Sequence, residues 1–371
     1  MKHLILTSTL ALALSACATT DIARTANVIK KAKVATKVAG AAADVVKTDT
    51  PATAAIASTS PVSMTDTKPI STAPMSVTMK KLSGKTKILG MQPKIALVGY
   101  NVGGYTTATA TGKASGDLLG YSQGSRTTIT MNASGITPEI LQRVADSAHD
   151  DLAAKLTKAG FQVVRAQEVK ATLSSGKLKF GEPTYQTTLT TDLGKKTVIV
   201  AGPTGVGTQK HLGIGKSSMG GNGIIKPSKE LGAVMLMPNL VLDFAALKAR
   251  GGAMTTRSSA SGNVRFAIDT ASQMNFQASK GRFLDGWLNY GIKKPIVSDA
   301  DFAVLSEDKG KSKSNTFERG LGAALGMATG AKKTKAMDVA VDPVRYEALA
   351  MSAAAGWNNA FVSELVKARA N

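Results

Sequence analysis

Residues 137–164 read TPEILQRVADSAHDDLAAKLTKAGFQVV. Thr137 can cap a helix and Pro138 suits its first turn. Leu141, Val144, Ala148, Leu152 and Leu156 fall three and four apart, so one face is apolar. Gly160 supplies a left-handed stop. Phe161 to Val164 then reads as a strand. The segment is an αβ unit, and it sets the fold class as α+β.

Upstream, Ile95 to Val98 is a short apolar run ending at Gly99, the pattern of a buried strand. Gly103 to Gly124 is rich in Thr, Ala and Gly and reads as a loop or weak hairpin. Thr127, Ile129 and Met131 suggest a short strand. Downstream, Lys196 to Val200 is a strand candidate that enters a loop with eight glycines between Gly202 and Gly223. Val234 to Leu247 is the longest apolar strand signal, and residues 232–290 read as an antiparallel meander with one wet face. Asp342-Pro343 opens a C-terminal helix carrying Tyr346, Leu349, Ala353, Trp357, Phe361 and Leu365 on one face. The expectation is a mixed or antiparallel sheet of about six strands covered by two helices.

The N-terminus is of a different kind. Met1-Lys2-His3 precedes an apolar run from Leu4 to Leu14 and then Ser15-Ala16-Cys17. A basic start, a short apolar core and small residues make an export signal. The run is shorter than the roughly 20 residues of a spanning helix. Leu14-Ser15-Ala16-Cys17 resembles the lipobox of bacterial lipoproteins, which implies acylation of the Cys17 thiol and cleavage before it. The alternative is an ordinary signal with an incidental cysteine. Cys17 is the only cysteine of the chain. Ala18, rather than Asp, follows it, and resemblance to such lipoproteins then implies outer-membrane sorting, with the body in the periplasm.

The expected order is a signal over 1–16, a lipidated low-complexity tether over 17–91 with a helix at 21–47 compatible with the spacing, an α+β domain over 92–304, a basic Gly-rich loop over 305–341, and the C-terminal helix over 342–371. Gly322, Gly326 and Gly330 recur every four residues. That stripe reads as a loop, or as a close-packing contact with a second copy or a membrane surface.

Composition narrows the function. One Cys excludes a disulfide framework and a Cys-rich metal site, and three His leave little room for a histidine cluster. The formal charge of +21 comes from 46 basic and 25 acidic residues. In an intracellular chain it would suggest nucleic acid. An exported chain meets phospholipid and lipopolysaccharide phosphates and wall polymers instead, and no basic motif with interleaved aromatics supports nucleic-acid binding.

Val198 to Lys210 resembles a strand followed by a phosphate-binding loop. Thr208 and Gln209 occupy the places where that loop needs Lys and Ser or Thr. A glycine-rich loop without nucleotide is the other reading. His149 beside the helix stripe reads as a boundary residue, and His211 as the one candidate base. No nucleophile elbow or acid pair accompanies either. No catalytic, metal or cofactor residue is assigned.

The order of elements resembles the α+β domain of the curli-secretion-channel lipoproteins, the lipoprotein activators of penicillin-binding proteins and the TolB N-terminal domain, over residues 92–300. In the channel family, inserted hairpins span the membrane in a ring. No pair of ten-residue alternating strands with aromatic ends is legible here. The lipobox resemblance, the tether and the lack of a legible catalytic group lead to the expectation of a non-enzymatic outer-membrane lipoprotein acting by protein contact in envelope assembly or secretion. Its partners would be the bilayer, through acylated Cys17, and envelope proteins including its own copies. The alternative is a tethered module that recruits or activates a cell-wall enzyme.

Overall fold

A computed structural model of the chain describes residues 69–90, 94–115, 124–175, 180–209, 214, 222–252, 258–278, 286–308, 313–314 and 332–370. The strands are β1 (Lys80–Gly84), β2 (Lys94–Leu97), β3 (Asn101–Lys113), β4 (Arg126–Ser134), β5 (Gln162–Arg165), β6 (Thr184–Thr190), β7 (Lys195–Ala201), β8 (Ala233–Arg250), β9 (Ser259–Ile268), β10 (Gln273–Gln277), β11 (Trp287–Gly291), β12 (Ile296–Val297), β13 (Ala303–Glu307), β14 (Lys313–Ser314) and β15 (Lys332–Val341). The helices are α1 (Pro138–Lys158), α2 (Ala166–Ser175), α3 (Asn222–Leu231) and α4 (Pro343–Ala370).

The class is α+β with a mixed sheet, as expected. The count differs: the described residues form one sheet of fifteen strands with four helices. Its main path is β1-β11-β10-β8-β3-β4-β15-β13. β8 holds the middle. One edge pairs in parallel with β2 and then with the start of β3. The other edge pairs antiparallel with β10 and then with β9. β9 and β10 therefore lie end to end along β8, and residues 232–290 are not a simple meander.

Helix α1 follows its sequence closely. The Thr137 hydroxyl accepts from the Ile140 amide at 3.4 Å, and Gly160 closes the helix at φ +81°. Leu141, Val144, Ala148, Leu152 and Leu156 are all buried. In α4 the Asp342 carboxylate accepts from the amides of Val344 and Arg345 at 3.0 and 3.1 Å, a helix cap. The six residues expected on its apolar face are buried.

α1 and α4 pack together over one face of the sheet. Contrary to expectation, the other face is covered too. There Ala96, Val98, Met235 and Met237 meet Ala166 and Leu173 of α2, which packs on α3. These two helices were illegible for local reasons: each has ten residues, and α3 contains Pro227.

Two further expectations change. Gly103 to Gly124, read as a loop or weak hairpin, opens a hairpin: Gly103 to Lys113 lies in β3, a thirteen-residue strand paired antiparallel with β4. The basic segment 305–341 contributes the end of β13, β14 and all of β15, which pairs in parallel with β4. Within the span expected as tether, residues 69–90 already belong to the body. β1 pairs with β11, and the Met75 amide donates to the Ser352 carbonyl of α4 at 3.0 Å. Gly356 lets this strap lie against the helix, since a Cβ there would stand 2.1 Å from the Met75 oxygen. The signal, the 21–47 segment, Cys17 and the 320–330 glycine stripe lie outside the described residues.

β3–β4 and β8–β9 are two long hairpins whose distal parts alternate between more and less buried residues. Ala108, Ala110, Ile129 and Met131 point inward from the first. They meet Leu247 and Gly262 of the second, where a Cβ on Gly262 would stand 2.8 Å from Met131 Sδ. The tips also touch. Ser115 N–H donates to the Gly252 carbonyl at 3.1 Å, and the Ser125 and Ser258 hydroxyls are 3.0 Å apart. A Cβ on Gly112 would meet the Arg250 and Ser259 oxygens at 2.4 Å, so only glycine allows this approach.

Asn358 ties the layers. Its Oδ1 accepts from the Tyr100 hydroxyl at 2.9 Å, and its Nδ2 donates to the Ala148 carbonyl and the Asp151 carboxylate at 2.9 Å each. Asn358→Leu would orphan the buried Tyr100 hydroxyl, a loss that costs about 1–3 kcal/mol. Urea unfolding should show a lower midpoint at unchanged slope.

Candidate functional site

Two polar sites stand out. The first is buried. Lys196, on β7, donates to Asp243 of β8 at 2.5 Å and to Asp269, in the turn before β10, at 3.3 Å. Its ammonium also lies 4.4 Å from the Tyr105 ring centroid. Asp243 accepts the Ala245 amide at 3.1 Å, and Asp269 the Ala271 amide at 2.8 Å. Burial works against the lysine charge, but the two carboxylates outweigh it and hold Lys196 above its ordinary value. Burial, then Asp269 and Asp243, push the Tyr105 hydroxyl far up. Burial raises the Asp243 pKa against the pull of Lys196, and the cluster joins β7, β8 and the turn before β10.

The second site is open. A groove of about 670 Å³ lies at the hairpin tips, beside the β6–β7 turn. Lys113, Arg126, Lys195 and Arg250 line it, with Asp192 as the one acidic residue among the described residues of the lining. Register puts Lys113 opposite Arg126 and Arg126 opposite Lys332. The Thr109 and Thr130 hydroxyls are 3.3 Å apart, and those of Thr111 and Thr128 are 3.1 Å apart. The Thr111 amide donates to the Leu193 carbonyl at 2.9 Å, which fastens the turn to β3 and forms one wall.

Of the residues singled out in the sequence, His149 lies at neither site. His149 is buried on α1 with Nδ1 3.4 Å from Asp150. Burial lowers its pKa against the pull of Asp150. His211, Lys210 and Cys17 lie outside the described residues. The stretch resembling a phosphate loop does follow β7, but its donors are already engaged. The Asp146 carboxylate takes the Thr204 amide at 2.6 Å and the Thr204 hydroxyl at 2.8 Å. Gln142 also donates to the Gly202 carbonyl. The next described helix, α3, begins only at Asn222. Among the described residues no group of three His, Cys, Asp or Glu could hold a metal, and no helix is long and apolar enough to cross a membrane.

Sequence reasoning missed both sites. The signals were single charges inside apolar strands (Lys196, Asp243) and the strict alternation of Thr107, Thr109 and Thr111 with alanines. Compared with protein-family models, curated proteins and solved structures, the chain matches none.

Lys196→Met should leave Asp243 and Asp269 buried without their cation and cost about 3–5 kcal/mol. A raised lysine stabilises the fold fully below about pH 10.5 and less as pH climbs through its native value. The gap in unfolding midpoint between wild type and variant should therefore be constant near neutrality and narrow above that pH.

Proposed function

We propose that this chain is a non-enzymatic lipoprotein of the outer membrane. It is held by acyl chains on Cys17 and acts by contact with envelope proteins, its own copies included, in envelope assembly or secretion. The observation that carries this reading is the pair of hairpins β3–β4 and β8–β9. Small apolar residues alternate in them with Thr107, Thr109, Thr128, Thr130, Lys248 and Ser261. The paired arms are Thr107–Lys113 with Arg126–Asn132 and Leu242–Arg250 with Ser259–Ile268, so the second hairpin reaches the roughly 9–11 residues of a membrane-crossing strand and the first is shorter. Here the two apolar faces cover each other. Between copies the same faces could meet neighbours or lipid, with the hydroxylated faces toward water.

The tips provide a lock. Ser125→Cys with Ser258→Cys places two thiols where the hydroxyls are 3.0 Å apart. Negative stain and native mass spectrometry of the detergent-extracted protein should show a multi-copy particle for wild type and for the reduced variant. The oxidised variant should be a single copy. A strictly monomeric wild type would overturn the reading, as would assembly unaffected by the lock. Cross-linking in cells that recovers a penicillin-binding protein would favour the wall-enzyme alternative. Cys17→Ser should move the protein from the membrane fraction to the soluble envelope fraction, because two or three acyl chains give stable anchoring.

A further inference from the structure

The groove at the hairpin tips goes beyond the assembly reading and concerns the closed hairpins. Ladder partners point to one face of a sheet, so Lys113, Arg126 and Lys332 stand abreast on three neighbouring strands. Strands are about 4.8 Å apart, and like charges set directly opposite destabilise a sheet. Lys195 and Arg250 add to the same rim. None of Lys113, Arg126, Lys195 and Arg250 forms an ion pair among the described residues.

The floor is rich in donors as well. In each threonine pair one hydroxyl can donate to the other, which leaves one O–H per pair for a ligand. A ligand satisfying both rim and floor carries anionic oxygens at intervals along a chain with further acceptors between them. We propose that the groove binds the phosphate groups of an extended polyol- or sugar-phosphate chain, the phosphates on the cations and the chain oxygens on the threonines. The volume is that of a site for a small ligand, within the usual 300–1,000 Å³. The recess favours a protruding chain over the flat headgroup layer of a bilayer.

The probe is a soluble glycerol-phosphate oligomer of about six units, titrated by calorimetry into the full-length detergent-solubilised protein. Wild type should bind, and binding should weaken with rising salt. Lys113→Gln with Arg126→Gln should weaken it tenfold or more. Thr111→Val with Thr128→Val removes both hydroxyls of one groove-lining pair, keeps shape and strand propensity and should weaken it several-fold. The oxidised S125C/S258C protein, which keeps both hairpins of the groove together, should bind at least as tightly as wild type, which separates this result from the outcome for assembly. Three results would overturn the proposal. One is oligomer binding unchanged by both pairs of substitutions. Another is inorganic phosphate or a single-stranded DNA oligonucleotide binding as tightly as the oligomer. The third is capture by phosphatidylglycerol vesicles without any binding of the oligomer.

Discussion

Both edges of β8 are fully used over its first half, and the architecture follows from that constraint. β2 and β3 share one edge and β10 and β9 the other. Residues 233–245 are buried throughout, so β8 must be apolar on both faces and needs cover on both. α1 and α4 supply it on one side and α2 and α3 on the other. Beyond Leu242 the strand leaves β3 and continues with β9 alone. This splits the sheet into two hairpin layers that close on each other.

Polar groups hold the joints of this arrangement. Lys196 links β7, β8 and the turn before β10 through two carboxylates. Asn358 links the sheet to both helices of one layer. On the surface between α1 and α4, Arg143 meets Glu347 through two bonds of 2.7 and 2.6 Å. Buried groups of this kind stabilise little by themselves, but removing one partner leaves the others without water or partner. The groove is the opposite case, since among its described residues four cations share the lining with a single carboxylate.

Legibility tracked how local the physics is. α1 and α4 were readable because capping, helical period and C-terminal glycine act within a few residues. The apolar run of β8 was readable because a doubly buried strand has no polar alternation. β3 was not. Thr and Ala have weak signals, and Gly103, Gly104 and Gly112 look like loop residues. Their small size serves close packing across layers, as Gly112 against Arg250 and Ser259 shows. The groove was invisible for a related reason: Lys113, Arg126, Lys195 and Arg250 are far apart in sequence and meet only through register.

By itself the sequence determined the α+β class, the two long helices and their buried faces, the central apolar strand, and an N-terminus with the pattern of an acylated export signal. These depend on periodicity, capping and short motifs. Only the tertiary structure decided the fifteen-strand path, the second helical layer, the hairpin pair, the Lys196 cluster and the basic groove. Each arises where backbone hydrogen bonding sets a register between distant segments, and that register decides which side chains share a face.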